Sequence, residues 1–443
     1  MIKIRIAHIA DIHQGLGYPG PSPTSRFDDI NCILDWTADR VIAEQCDICL
    51  IAGDCFRASK VMLDRASQEI ASIVRFLGRL SGAGIEVIVI SGTPSHDAVA
   101  AYELIKEMQI PHIYIFTKPG MSYDIDVAIQ KYIDNELTYP NLVFNGPYHI
   151  ACLPGLNRSA LMTQDEYKGL PPEQVHRIMT DKITQLCQGM SAQMPDDRPK
   201  ILMAHMTYQN ADKGFDDLLM QQEPILTREA VSGFDLVCLG HIHRPQQIDG
   251  KVFYSGPVER LSFNEEDVTP GFWIHEIDTD AKPMKLSDKT MDIVKEYGGD
   301  FSWKSVVSSQ FIETPARRYQ TFTFDEGTIK GVNQHGFHYL GSCVEDDAKD
   351  AIVRLNYTCT EETAMQINRK ALEKALYDAN CFYVAEIKAD IERSDRARDV
   401  TVNESLTPLD ALGKWCMNQG IDESETAALQ AMAAELLESG VST

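Results

Sequence analysis

The chain lacks any apolar run long enough to span a bilayer. Stretches such as Val87-Ile88-Val89-Ile90 end after a few residues, whereas a membrane helix needs about 20, so a membrane-bound protein is not expected. It contains no G-x-x-x-x-G-K-S/T loop, so ATP dependence of any activity has to come from another chain. No internal repeat or low-complexity tract interrupts it. Positive charge is short: 41 Lys and Arg stand against 65 Asp and Glu, a net charge of −24. A protein that grips nucleic acid alone normally carries a basic footprint, because neutralising phosphates supplies much of the affinity. None is visible in bulk. The substrate is therefore small, or divalent cations and a basic partner offset the repulsion, or the acidity serves solubility alone. The eleven cysteines are odd in number and scattered, and no signal-peptide pattern opens the chain. We expect reduced thiols in a cytoplasmic protein.

What is present is globular material. At 443 residues, 44% hydrophobic and 24% charged, the chain is too long for one ordinary core and is expected to form two or three domains. Strand-like runs at 2–10, 47–52, 85–90, 112–116, 148–153, 200–204 and 236–239 alternate early on with helical patterns at 26–45, 62–80 and 99–108. Runs at 252–254 and 272–277 read as a final hairpin-like pair. Such alternation predicts an α/β layered domain, with ligands gathered at the carboxyl ends of strands. Segment 117–198 reads as irregular and loop-rich, shaping a substrate entrance. Further on, a strand at 351–357, a helix at 361–379 and a strand at 381–387 make a small α+β module. From Thr401 the chain holds seven acids against one base, Lys414, with helical patterns at 408–418 and 423–438. The second carries Leu429, Met432, Ala433, Leu436 and Leu437 at helical spacing. That stripe either packs on its own domain or docks a partner.

Five chelating fragments follow one another in the first 243 residues, each closing a strand-like run. They are Asp11-Ile12-His13, Gly53-Asp54, Ser95-His96-Asp97, Ala204-His205 and Gly240-His241-Ile242-His243. Singly, most are weak: Gly-Asp is common in turns, and a lone histidine on an apolar strand is more often a core residue. Jointly they read as one metal site assembled from distant parts of the chain. Imidazole with carboxylate suits divalent transition ions, and the absence of thiolate argues against a structural zinc knot. Two ions sharing Asp54 could hold a phosphate ester between them, so the reaction class is metal-assisted phosphoester hydrolysis.

This ordered set resembles the signature of calcineurin-like metallophosphoesterases, and its details resemble the SbcD-type DNA repair nucleases. The opening His8-Ile-Ala-Asp11-Ile-His13-Gln-Gly15 looks like that subfamily's first motif. So does Phe253-Tyr-Ser-Gly256-Pro-Val-Glu-Arg260-Leu-Ser-Phe263 beyond the last histidines, and Arg354 with its following helix fits the capping module. The resemblance is specific over 1–275 and loose beyond. It implies a layered β-sandwich metallophosphoesterase domain flanked by helices (1–279), a small α+β capping and DNA-binding domain (280–400) and an acidic helical docking segment (401–443). The first ion would be held by Asp11, His13, Asp54 and His243. The second would be held by Asp54, His205, His241 and a residue of the third loop. His96 would contact the scissile phosphate or protonate the leaving oxygen, with Asp97 orienting it. The implied cofactors are two divalent ions, manganese foremost. The implied partners are DNA, an SbcC-type coiled-coil ATPase and a second copy of the chain.

Two positions depart from the pattern. The family's Gly-Asn-His third motif reads here Gly92-Thr93-Pro94-Ser95-His96, two residues longer and without Asn. Ser95 is the candidate for the vacant ligand position, and the second ion is expected to bind weakly. Arg57 stands where the family often has an acid; it is either a surface arginine or a DNA-backbone contact. The resemblance implies a DNA exonuclease and endonuclease; the residues also leave open a phosphodiesterase or phosphatase of small substrates, or a non-catalytic scaffold with a degenerate second metal site.

Overall fold

The computed structural model describes residues 3–22, 24–58, 63–95, 97–118, 120–123, 142–143, 147–156, 170–196, 198–214, 224–279, 306–341, 346–392 and 406–438. The chain begins β1 (Lys3–Ile9), α1 (Ser25–Ala43), β2 (Ile48–Ala52), α2 (Leu63–Gly82), β3 (Glu86–Ile90), α3 (Val99–Glu107) and β4 (Ile113–Phe116). It continues with β5 (Gly120–Tyr123), β6 (Leu142–Val143), β7 (His149–Leu153), α4 (Pro172–Gln193), β8 (Lys200–His205), β9 (Thr207–Tyr208), β10 (Ile225–Leu226) and α5 (Arg228–Val231). Then come β11 (Leu236–Gly240), β12 (Gln246–Ile248), β13 (Val252–Tyr254), β14 (Gly271–Asp278) and β15 (Val306–Glu313).

Two large sheets result. One has the order β15-β14-β1-β2-β3-β4, the other β12-β13-β11-β8-β7-β5-β6. Strands β1 to β4 pair in parallel, as do β7, β8, β11 and β13. The period-2 rule sorts their side chains. Ile6, Ile48, Leu50, Ile88 and Ile90 meet Ile150, Ile201, Met203 and Leu236 in a layer between the sheets. The alternate residues Ala7, Cys49, Ile51 and Val89 pack under α1, α2 and α3. Leu202, Val237 and Leu239 do the same under α4 and α5. The inner strands β1, β2, β3, β7, β8 and β11 are therefore buried on both faces, which is why they read as continuous apolar runs. The expected helix-flanked β-sandwich is the fold observed.

Helix α1 turns Ile30, Ile33, Leu34, Ala38 and Val41 inward at helical spacing. It ends in a 6→1 and 5→2 pair, Cys46 N to Val41 O and Gln45 N to Ile42 O, with Gln45 at φ 54°. This left-handed stop sends the chain straight into β2.

Beyond β15 lie β16 (Tyr319–Phe324), α6 (Glu326–His335), β17 (Ile352–Thr360), α7 (Glu361–Gln366), α8 (Arg369–Asp378), β18 (Tyr383–Glu392), α9 (Pro408–Asn418) and α10 (Glu423–Glu438). Strands β16, β17 and β18 form a three-stranded sheet. The chain divides into two compact units. One comprises Met1–Thr323, Gly331–Asn356 and Arg369–Lys388; the other comprises Phe324–Lys330, Tyr357–Asn368 and Ala389–Thr443. Within the first, Arg317 grips both Asp29 carboxylate oxygens at 2.6 and 2.8 Å and stacks on Phe382 at 3.5 Å. Arg354 lies over Phe263 at 4.4 Å and donates to Thr321 Oγ1. Within the second, Met432, Leu436 and Leu437 of α10 and Trp415 and Met417 of α9 are exposed. Among the described residues no helix is long and apolar enough to cross a membrane.

Several expectations need correction. The runs at 252–254 and 272–277 do not pair: β13 joins β11 and β12 in one sheet, while β14 lies antiparallel to β1 in the other. Alternation marks a strand but does not choose its partner. The real hairpin is β12–β13, turned by Asp249-Gly250 with φ 49° and 76°, a recognisable Asp-Gly signal. The helix expected at 361–379 is broken, because Ile367 is extended with ψ 123°. Segment 117–198 is not all loop: α4 buries Val175, Met179, Ile183, Cys187 and Met190 on one face. Strands β15 and β16 and helix α6 were not anticipated.

His8 and His275 lie fully buried between the sheets. Burial pushes His8 down to about 3, against the opposing effect of its bond to Leu239. Burial and neighbouring His8 push His275 well below its ordinary value. Both are neutral when folded, and each gains a proton on unfolding below about 6.5. Their stabilising contribution is thus present above about pH 6.5 and is lost as pH falls towards 3. Urea midpoints of metal-free protein should drop over that range. In His275→Phe the slope should be shallower by up to about 1.4 kcal/mol per pH unit; equal slopes would contradict this account.

Candidate metal centre

The carboxyl ends of β1, β2, β3, β8 and β11 meet at one edge of the sandwich. The loops after β1 and β2 keep pairing beyond their strands: Asp11 N to Gly53 O at 3.1 Å, His13 N to Asp54 O at 2.9 Å and Gln14 N to Cys55 O at 2.8 Å. This ladder forces unusual backbone. Asp11, His13, Asp54 and His241 take φ of 54°, 50°, 50° and 94°. Positive φ costs a non-glycine residue about 1–3 kcal/mol, and such strain collects where function over-determines geometry. Glycines clear the space. A Cβ on Gly92 would overlap Asp54 Oδ1, and one on Gly240 would overlap the Ala52 carbonyl.

The structure brings Asp11, His13, Asp54, His205, His241 and His243 together. One ligand atom each from Asp11, His13 and His243 lies within 4.8 Å of the others, and the same holds for Asp11, Asp54 and His205. His13 Nε2 and His243 Nε2 are 3.2 Å apart. Two imidazole nitrogens that close would be placed to share one ion. Asp54 Oδ2 faces both groups, 3.3 Å from His205 Nε2 and 3.7 Å from His13 Nε2. The backbone N–H of His241 donates to Asp11 Oδ1 at 3.0 Å, and the His241 ring stands edge-on to His205 with centroids 5.2 Å apart.

The outer atoms of these rings are held so that the inner ones point into the site. His205 Nδ1 donates to Ala52 O at 2.7 Å. His243 Nδ1 lies 2.7 Å from Glu265 Oε1. Both are the usual outer partners of metal-ligating histidine. Inside, Asp11 Oδ2 is buried without a hydrogen bond, a cost of about 1–3 kcal/mol that a cation would remove, and His205 Nε2 meets the Asp54 carboxylate at 3.3 Å. Burial raises the Asp11 pKa although His243 and His205 oppose it. Burial would lower His205, yet Asp54 and Asp11 outweigh it and push it up to about 10. His243 is likewise pushed up to about 9, Glu265 outweighing burial. The cluster's oxygen and imidazole donors fit two divalent ions, which would polarise a bound phosphoester and activate water.

The third loop contributes through its backbone. Thr93 N donates to Asp54 Oδ1 at 2.9 Å. Asp97 is fully buried and accepts from Gly92 N at 2.6 Å, Phe56 N at 3.1 Å and Tyr102 Oη at 2.7 Å. It thereby staples the second loop to the third. Burial, then the Asp54 charge, pushes Asp97 up to about 7. Ser95 is exposed, and His96 lies outside the described residues. Sequence reasoning missed Glu265, Thr93 and Tyr102. Only Glu265 left a trace, as an acid just past the Phe253–Phe263 segment. Cys46 and Cys49 have CxxC spacing, but both are buried and burial raises both thiols; they are core residues.

A family model described as calcineurin-like phosphoesterase matches residues 4–245, more than half of the 443. A subunit of the nuclease SbcCD from Staphylococcus saprophyticus subsp. saprophyticus is 24% identical over 290 residues, covering 65% of this chain and 68% of that protein. A dimetal phosphatase from Danio rerio, known in crystal structure, is similar at a TM-score of 0.33 and 8% identity, over 61% of this chain and 92% of that one.

Glu265→Gln should weaken manganese binding about 10–100-fold, the usual effect of losing a carboxylate behind a ligating histidine. Calorimetric titration of the folded variant checks this, and unchanged affinity would remove Glu265 from the centre. Gly92→Ala should lose more, because the new methyl displaces the Asp54 carboxylate.

Proposed function

Because the chain belongs to the calcineurin-like phosphoesterase family, we propose that this phosphoester hydrolase is a two-metal DNA nuclease. It would act on duplex ends and on single strands as the nuclease component of an SbcCD-like repair complex. The observation that carries the two-metal reading is Asp54, whose Oδ2 faces His13 on one side and His205 on the other. In this reading Asp11, His13, Asp54 and His243 hold one ion, and Asp54, His205, His241 and Ser95 hold the second. Manganese suits the mixed imidazole and carboxylate donors. His96 meets the scissile phosphate, and Asp97 fixes the loop that carries it.

The similarity to a protein named as part of the nuclease SbcCD supports DNA as substrate. So does a cavity of about 180 Å³ beside His243, lined by Arg57, Lys213, Arg244 and Asn264. Three cations gathered there, in a chain of net charge −24, suit the phosphates flanking a cleaved bond. Arg57 is exposed and adjoins the centre, its N–H bonded to Gln14 O at 2.9 Å. The exposed apolar residues of α9 and of the acidic α10 support a docking role towards a basic ATPase partner. The overall acidity favours the rival, a phosphodiesterase of small substrates.

Cleavage of end-labelled duplex and single-stranded DNA in Mn²⁺ tests the proposal. Activity should vanish with EDTA and in His96→Ala, with the partner ATPase supplied if the chain alone is silent. Hydrolysis of bis(p-nitrophenyl) phosphate without DNA cleavage would favour the small-substrate reading. Arg57→Glu should lower kcat/KM on oligonucleotides about tenfold or more, equivalent to about 1.4 kcal/mol, and leave bis(p-nitrophenyl) phosphate unaffected. Equal loss on both would rule out a role in gripping flanking phosphates.

A further inference from the structure

A second group of ligand atoms lies inside the sandwich, apart from the centre just described. His8 of β1, Cys238 of β11 and His275 of β14 are all fully buried, and one ligand atom from each lies within 4.8 Å of the other two. Pairing of β1 with β14 sets His8 opposite Trp273 and Ile6 opposite His275. The two histidines therefore point to the same face of their sheet. Cys238 reaches them from the other sheet, among the apolar residues of the layer between. Phe253 and Trp273 flank His275, with centroids 4.6 and 6.2 Å away.

Each imidazole uses one nitrogen and leaves the other bare. His8 Nε2 is 3.1 Å from the Leu239 carbonyl, which only accepts, so Nε2 carries the proton and Nδ1 is a lone pair. His8 Nδ1 has no hydrogen-bond partner. His275 Nδ1 bonds Ser309 Oγ at 2.8 Å, and His275 Nε2 has none. An unsatisfied buried polar atom costs about 1–3 kcal/mol. A neutral imidazole pair facing a thiol in an apolar layer is a poor core and a good ligand set.

We propose that His8, Cys238 and His275 form a buried site for a soft monovalent cation, Cu(I). The donor set decides the ion. Thiolate and imidazole together suit copper and zinc. Two neutral imidazoles and one thiolate carry a single negative charge, so Cu(I) gives a neutral complex. A divalent ion would leave a net positive charge buried in an apolar layer, which is costly. Zinc in a structural site also takes four ligands, and the group has three among the described residues. Binding replaces the Cys238 S–H bond with an S–Cu bond and releases one proton per ion. Because all three residues are buried, the ion enters as the chain folds, and its binding energy adds to folding.

The test is full-length protein produced under copper supplementation, then washed with EDTA and the Cu(I) chelator bathocuproine disulfonate. One copper per chain should survive the wash, and its X-ray absorption edge should report three-coordinate Cu(I) with one sulfur and two nitrogen scatterers. Cys238→Ala and His275→Phe should each lose the retained copper, whereas Asp54→Asn, altered only at the metallophosphoesterase centre, should keep it. No retained copper in the unaltered protein would overturn the proposal. So would a sulfur-free coordination shell, which needs no variant to fold, or four-coordinate zinc in its place. Retention by folded Cys238→Ala would do the same.

Discussion

The hydrogen bond from His205 Nδ1 to the Ala52 carbonyl joins the carboxyl end of one sheet to that of the other. Everything at the proposed centre depends on this meeting. It is possible only because Gly240 lacks a side chain where it passes Ala52, so two twisted sheets can close at one edge while an apolar layer holds them apart elsewhere. The same bond fixes the His205 tautomer and turns Nε2 towards Asp54. One contact thus ties the packing of the sandwich to the direction of a lone pair.

Around it the chain accepts local strain. Four of the proposed ligands sit at positive φ, held by a ladder between the first two loops and by the Asp97 staple across the second and third. Neither device contains a proposed ligand nitrogen, yet both set where ligands point. Acidity has a related logic. Buried carboxylates raise His205 and His243 above their ordinary values, so the negative charge gathered at this edge is matched by groups that bound cations would replace.

The order of the chelating fragments was legible because each is local: a strand exit is an apolar run that stops, and the residue types after it declare their chemistry. The helices packed on the first sheet were legible for the same reason, since α1 repeats its apolar residues at helical spacing. Helix α4 carries the same period at Val175, Met179 and Ile183 but is set among loop-like stretches that masked it. Glu265 could not be assigned, because its meeting with His243 depends on how the segment after β13 folds back. Nor could Asp97 be seen as a staple, since its partners Phe56 and Tyr102 are neighbours only in space.

By itself the sequence determined which chelating residue types close which strands and the apolar period that buries the inner strands on both faces, because these follow from side-chain chemistry and period. Tertiary structure alone decided which strands pair, which sheet takes β13 and which takes β14, and which nitrogen of each histidine is bare. It also brought His8, Cys238 and His275, far apart along the chain, into one pocket of the core. The physical reason is common to all of these. Periodicity records the face a residue presents, whereas the partner it meets there is chosen by how sheets twist, close and exclude water.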